Sequence, residues 1–411
     1  MSFVSVLDIP PAVGRFGDFY VPRFEIRIAG VNLPGEVLRD VTQLTYHDNL
    51  TEIDGFELTV NNWNEETQDF KYLGSGLESS AQEDLQRVFD PCNKDVLISF
   101  GYGDDVQPIV AGNFTTIEPT FPSSGAATMA VRGLNVLHRL RRKPYTTAWV
   151  DKKDSDIAEN LATLSDPQTG QKRFPCPIVT SSAAKSSEDQ IAYVSQRNQY
   201  DVDFLFRRAR ERGYVLYVRP RQGATDGKTV ELYFGPSGDA TPGRPEVEYE
   251  LEWRKSLIDF KPTLTTANQI RSVTVNGWDR NTRTAIAKTV TIDDPRININ
   301  QDVRQLLSSC DPREEVVVDE PMFTARQAET RALAILLDRH RSVVKASGTC
   351  IGLPGLRAGK RVSIVGLGTT FSGVYYLTST THTINEGGYT VRFEARREDP
   401  GGGSGSGGGR S

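Results

Sequence analysis

The residues able to do chemistry are few and scattered. The four histidines, His47, His138, His340 and His382, share no spacing with one another or with Cys92, Cys176, Cys310 and Cys350. A zinc site needs ligands in short, paired spacings, and a thiol nucleophile needs a base beside it, so neither is expected. GLPGLRAGKR, Gly352 to Arg361, has the outline of a phosphate loop. Pro354 stands at the required first Gly and Arg361 at the required Ser or Thr, so the backbone cradle is lost. Gly101-Tyr102-Gly103-Asp104-Asp105 could be imagined as a calcium loop, but the ligand spacing of a helix-loop-helix site is missing and a turn ending a strand explains it better. With 53 acidic residues, some carboxylate pair always lies at a separation suited to sugar hydrolysis, so that signal has no specificity. The expectation is no catalytic, cofactor-binding or metal-binding residue and no cofactor.

Charge and composition narrow the partners. The net charge of −5 argues against attraction of the whole protein to nucleic acid or anionic lipid. Arg139, Arg141, Arg142 and Lys143 form a basic knot before Pro144, without interleaved aromatics for base stacking. It reads as a solvated boundary rather than a phosphate site. With 37% hydrophobic and 25% charged residues the chain is globular. Scattered cysteines suit a reducing compartment. The opening MSFVSVLDIPP does not resemble a secretory signal, and the densest later apolar run, Ala332 to Leu337, is far shorter than the roughly 20 residues that span a bilayer. Assembly in the cytoplasm, without stable membrane insertion, is expected, unless another machine carries the protein out.

What must position any function is a repeated building block. Leu257 to Trp278, LIDFKPTLTTANQIRSVTVNGW, shares its features with Leu38 to Trp63, LRDVTQLTYHDNLTEIDGFELTVNNW. Both begin Leu-x-Asp and an apolar residue, pass a Thr-rich run, and close on Thr-Val-Asn-x-Trp. Downstream, LISFGYG (Leu97 to Gly103) and VSIVGLG (Val362 to Gly368) each lead to a Gly, a Thr-rich strand, a turn and another alternating strand. Trp63 and Trp278 are read as core at matched positions. The chain is expected to hold two β-units of one design.

Taken in order, residues 1–20 read as an arm rich in Pro and Gly. Residues 21–145 form a first antiparallel barrel or sandwich, with strands at Phe24 to Ile28, Phe56 to Val60, Leu97 to Phe100, Phe114 to Ile117 and Thr128 to Leu134. An insertion at 64–95 carries a helix around Ser80 to Phe89. Residues 146–246 read as a small α/β linking unit. In it Ser155 caps a helix with Ile157, Leu161 and Leu164 inward, and Asp201 caps another with Phe204, Leu205 and Ala209 inward. Arg207, Arg208, Arg210 and Arg212 face largely outward, and Gly213 stops that helix. Residues 247–398 form the second β-unit, interrupted at 279–345 by a polar segment and a helix over Ala325 to Val343. That helix has a capping box, Thr324 and Gln327, and a stripe of Ala325, Ala328, Ala332 and Ile335. The Gly/Ser tail, 399–411, is a flexible coil.

Three segments carry a resemblance: Trp253 to Trp278, Gln196 to Val218 (QRNQYDVDFLFRRARERGYVLYV) and Ala358 to Glu398. Together they resemble the phage late control gene D and VgrG-like baseplate hub family, over most of residues 20–398. The resemblance implies a mainly β chain with an α/β insert, its two antiparallel barrels similar to the inner-tube subunit. It implies a homotrimer in which six near-equivalent units meet a hexameric inner tube while the threefold axis meets a spike. It also implies other baseplate components as partners, in a phage tail or an extracellular injection particle. No β-spike or lysozyme-like domain follows Glu398, so the spike is expected to be a separate protein. Asn64 to Asp95 and Asp279 to Glu320 are candidate docking segments because they depart from the repeated core. Two rivals remain: a tail-associated peptidoglycan hydrolase, and a carbohydrate-binding β-protein of the surface.

Overall fold

Alternation of apolar and polar residues turns into strands with one buried face. In the computed structural model this is plainest in Gly55–Asn61, where Phe56, Leu58 and Val60 are buried and their neighbours are not. The structure describes residues 21–73, 87–91, 94–174, 176–221, 230–236, 249–267, 269–297, 305, 309 and 313–397. The expected arm 1–20, most of the helix begun at Ser80, Cys92, Cys310 and the tail lie outside them.

The first β-unit runs β1 (Pro22–Ile28), β2 (Val31–Asn32), α1 (Gly35–Asp40), β3 (Val41–Asn49), β4 (Gly55–Asn61), β5 (Trp63–Asn64), β6 (Asp69–Phe70), β7 (Asp95–Tyr102), β8 (Asp105–Thr120) and β9 (Thr128–Asn135). The linking unit follows with β10 (Tyr145–Lys152), α2 (Asp154–Leu161), β11 (Ile178–Thr180), α3 (Ser182–Ser187), β12 (Ile191–Gln199), α4 (Asp201–Arg212), β13 (Tyr214–Pro220) and β14 (Val230–Pro236). The last third holds β15 (Tyr249–Glu252), β16 (Leu257–Leu264), β17 (Ser272–Asp279), β18 (Thr284–Thr291), β19 (Glu314–Val317), α5 (Ala325–Arg341), β20 (Val344–Ile351), β21 (Arg361–Val365), α6 (Gly368–Phe371), β22 (Gly373–Asn385) and β23 (Gly388–Arg397). The chain is mainly β with large antiparallel sheets.

The repetition is real at the level of strand order. The first unit lies β3-β4-β9-β8-β7-β1 across its sheet, and the last third lies β16-β20-β23-β22-β21-β15. Replacing each strand by its counterpart in chain order converts one list into the other. One ladder differs in direction: β1 runs antiparallel to β7, whereas β15 runs parallel to β21. The two sets do not stand apart. β3 pairs β22 antiparallel, from Gln43 opposite Asn385 to Asn49 opposite Ser379, and the result is one 13-stranded sheet. Among the described residues no ladder of strand pairs closes either set; in the second, a lone bridge joins Trp253, just past β15, to Leu257 of β16. One core runs beneath both, containing Ile98, Phe100, Phe56 and Phe114 with Val362, Ile364, Tyr375 and Phe393.

The sequence match misleads at its second half. The counterpart of β4 is β20, not β17. The strand carrying Thr274 to Trp278 leaves the large sheet, pairs β18 and β19, and packs Val273 and Val275 on Ala328, Ala332 and Leu336 of α5. Trp278 is accordingly 52% exposed rather than core, and Trp63 is half-buried, edge-on to Phe70 at 5.6 Å. A shared Thr-Val-Asn-x-Trp follows strand chemistry, which many sheets favour, and not the position of the strand.

Local expectations fare unevenly. Thr324 does cap α5, accepting from the amide of Gln327, while Gln327 reaches back to the amide of Phe323. The buried stripe, however, is Ala328, Ala332, Leu336 and His340; Ala325 is exposed and Ile335 half-buried. Ser155 is not a cap. Lys153 occupies that position, and Ser155 sits inside the first turn, its amide and hydroxyl both given to Glu188. Asp201 likewise lies inside α4, after Tyr200, and pairs with the buried Arg173. Gly213 ends α4 at φ 72°, the left-handed conformation expected of it.

Candidate assembly surface and its buried joint

Where β3 meets β22, an inward position of the strand pattern is filled by Asp48, in phase with Leu44 and Tyr46. A carboxylate cannot be buried there without a partner. The partner comes from the loop before β21: Arg357 gives Nε to Asp48 Oδ2 at 2.7 Å, Nη2 to the Tyr46 hydroxyl at 2.6 Å and Nη1 to the Ile109 carbonyl at 3.3 Å. The amide of Ala358 adds a bond to Asp48 at 2.8 Å, and the Thr380 hydroxyl another at 3.4 Å. A second carboxylate, Asp54, accepts from the amide of Asn49 at 3.0 Å and from Asn135 Nδ2 at 2.7 Å. His382 closes the network on the β22 side, with Nδ1 2.8 Å from the Tyr389 hydroxyl. This cluster ties the first unit to the second through side chains from both.

Its electrostatics follow from burial. Removal from water, then the neighbouring Asp48, pushes the Asp54 carboxyl up to about 7. Removal from water, then the Arg357 charge, pulls His382 down to about 3 and keeps its ring neutral. Burial alone would weaken the Arg357 proton, but Asp48 more than offsets it and the guanidinium is held more firmly than usual. The phosphate-loop outline at Gly352 to Arg361 therefore resolves into a structural arm whose charge points into the protein. Gly101 to Asp105 resolves into the hairpin turn between β7 and β8, with Gly103 at φ 53°.

The linking unit is fastened by the basic knot. Arg139 reaches Asp95 and Asn113 of the first unit, Arg141 bonds Asp203 of α4 at 2.8 Å, and Lys143 bonds Asp166 at 3.1 Å. These charges are engaged within the chain. Arg208 and Arg212, expected outward, both turn onto Asp154, whose side chain is fully buried; the Arg208 bond is 2.6 Å. Between the first and linking units lies a cavity of about 290 Å³, lined by Arg27, Asp95, Val96, Gly112, Arg139 and Cys176. Burial pushes the Cys176 thiol up to about 12, so it is a poor nucleophile. Burial does the same to Cys350, further still.

Among the described residues the four histidines do not come together. His47 meets Thr381, His138 meets the Asn135 carbonyl, and His340 and His382 lie in different cores. Among the described residues no three His, Cys, Asp or Glu side chains could hold a metal ion, and no described helix is long and apolar enough to cross a membrane.

What the surface offers instead is open sheet edge and exposed apolar residues. Among the described residues β16 from Ile258 to Leu264 pairs only β20, and the second half of β8, from Thr115 to Thr120, pairs only β9. Ile258 at 56%, Leu264 at 39% and Phe121 at 60% exposure lie on or beside these edges. Of the proposed docking segments, the described part of Asn64 to Asp95 holds β6, where Phe70 packs on Phe121 at 5.3 Å. The described part of Asp279 to Glu320 holds β18 and β19, where Val316 and Val318 are exposed, as are Trp278 and Phe323. Arg357, Asp48 and Asp54 escaped the sequence reading. The available signal was an Asp at an inward strand position, which demands a cation that sequence cannot locate.

No curated protein matches the chain by sequence. By fold it is similar to the tail protein from Neisseria meningitidis MC58, at TM-score 0.61 and 12% identity over 92% of this chain and 97% of that one. It is equally similar to the 43 kDa tail protein of prophage MuSo2 from Shewanella oneidensis, at TM-score 0.61 and 13% identity over 92% and 98%. An E. coli protein described as a component of the type VI secretion system aligns at TM-score 0.54 and 12% identity over 91% and 77%. These likenesses establish a fold shared with phage tail and type VI secretion proteins. A family described as the Alg8 N-terminal domain matches residues 20–386, nearly all of the described chain, and the protein belongs to that family.

Proposed function

We propose that this chain is the structural hub of a contractile tail or contractile injection particle, acting as a homotrimer that adapts a threefold spike to a sixfold inner tube. The observation that carries the reading is the repeated strand order inside one continuous sheet. A single chain thereby presents two similar β-units side by side, and three chains present six. The fold shared with tail and type VI secretion proteins supports the same reading. So does the investment of buried charge at the joint: the pair of Arg357 and Asp48 fixes how one unit sits against the other, which a ring of near-equivalent units requires. The role is positional rather than catalytic, and the partners are other baseplate components, tube and spike among them.

The test is the mass of the purified protein by light scattering, alone and co-expressed with a candidate spike protein. A trimer in either condition supports the hub. A monomer that binds neither spike nor tube protein overturns it and redirects attention to hydrolysis of purified cell wall.

A further inference from the structure

Resting on that reading, the internal joint supplies a template for the contact between chains. β8 and β22 are counterparts, and their bulges are too: the register shifts between Phe114 and Thr116 in one and between Leu377 and Ser379 in the other. From there the ladders can be followed rung by rung. Thr116 faces Arg132, which faces Glu57, which faces Thr45. Ser379 faces Glu394, which faces Ser347, which faces Lys261. Lys261 therefore holds in β16 the place that Thr45 holds in β3.

β22 uses the edge turned away from β23 to pair β3, with Thr383 opposite Thr45. Among the described residues the counterpart edge of β8, beyond the stretch paired with β7, has no strand beside it, and neither has the counterpart edge of β16 from Ile258 to Leu264. The geometry points to a second copy of this chain as the occupant: β8 of one chain pairs antiparallel with β16 of the next, Thr120 opposite Lys261, Glu118 opposite Thr263 and Ile117 opposite Leu264. The contact is head-to-tail, so it either closes into a ring or grows without limit.

The side chains suit it. At the internal joint the inward rungs are polar, Thr380 with Asp48 and His382 with Tyr46. In the transferred register the inward rungs are apolar: Ile117 meets Leu264, Pro119 meets Pro262, and Phe121 comes over Phe260. Leu264 and Phe121, exposed in the single chain, are thereby covered. The two prolines, neither of which can donate a ladder bond, share one rung. Any slip of the register would set each against a residue able to bond and lose a rung twice, so the pair fixes the alignment. The outward rungs are polar, with Lys261 one step diagonally from Glu118.

The experiment joins Glu118→Cys and Thr263→Cys in a chain with Cys92 and Cys310 replaced by serine, and oxidises it under the conditions in which the trimer is measured. Expected is a covalent trimer that does not extend to higher multiples. Glu118→Cys with Asp259→Cys, displaced by roughly 13 Å along β16, should give at least tenfold less product. A trimer by light scattering without the Glu118–Thr263 cross-link would overturn this contact and leave the hub intact. No trimer with either partner would overturn both. A cross-link formed within one chain would refute the pairing outright. Leu264→Asp, at a site already exposed in the single chain, gives a second reading: far-UV circular dichroism should be unchanged while the trimer dissociates at least tenfold more readily. An unaltered trimer there counts against the contact.

Discussion

Arg357→Leu is the substitution that most directly tests the joint. The guanidinium is buried, its partner Asp48 is 2% exposed, and three hydrogen bonds to Asp48, Tyr46 and the Ile109 carbonyl vanish with it. Removing one member of a buried ion pair leaves the other charged without compensation, a cost of about 3–5 kcal/mol. Asp48 keeps the amide of Ala358 and the hydroxyl of Thr380, so the lower half of that range is expected. At 1.4 kcal/mol per tenfold, that is on the order of a hundredfold or more in the unfolding equilibrium. Urea unfolding measures the total, and hydrogen exchange of the amides in residues 379–385 and 43–49 reports whether the loss falls on the β3–β22 ladder. Asp48→Asn in the same chain should restore most of the stability, because the stranded charge is gone. A loss below about 1 kcal/mol for Arg357→Leu, or a double variant whose loss is the sum of the two singles, would refute the argument that this pair holds the units together.

Asp54, with its pKa raised to about 7, contributes stability that is full below its unfolded value, about 3.9, and disappears as pH rises through 7. Asp54→Asn should therefore gain on the native protein between about pH 4 and pH 7, read from urea midpoints; a constant difference across that window would contradict the assignment. His382, lowered to about 3, acts in the opposite sense: its contribution is present above about pH 6.5 and lost as the pH falls toward 3. His382→Gln should flatten the acid limb of the same stability curve. Asp154→Ala takes the buried partner from Arg212 and leaves Arg208 with Glu211 alone, and should cost the linking unit about 3 kcal/mol, with amide protection lost first in α2 and α4. Gly213→Ala places a Cβ at φ 72° and 3.4 Å from the Ala334 methyl, and should destabilise by about 1 kcal/mol in thermal unfolding.

The sequence by itself determined the strands, because a period of two in Phe56, Leu58 and Val60 or Tyr389, Val391 and Phe393 has only one way to bury its apolar face. It determined the stop of α4 at Gly213 and the cap of α5 at Thr324, since both depend on residues adjacent in the chain. It also carried the fact of repetition, but not its alignment. Thr274 to Trp278 and Thr59 to Trp63 look alike because exposed and half-buried strands draw on the same residues, while their sheets differ. Only the tertiary structure decided that β20 is the true counterpart of β4, that β3 and β22 weld the two units, and that Arg357 crosses more than three hundred positions of chain to neutralise Asp48. Strand pairing and buried charge are bonds between distant residues. Their energy depends on which partner arrives, and local pattern says only that one is required.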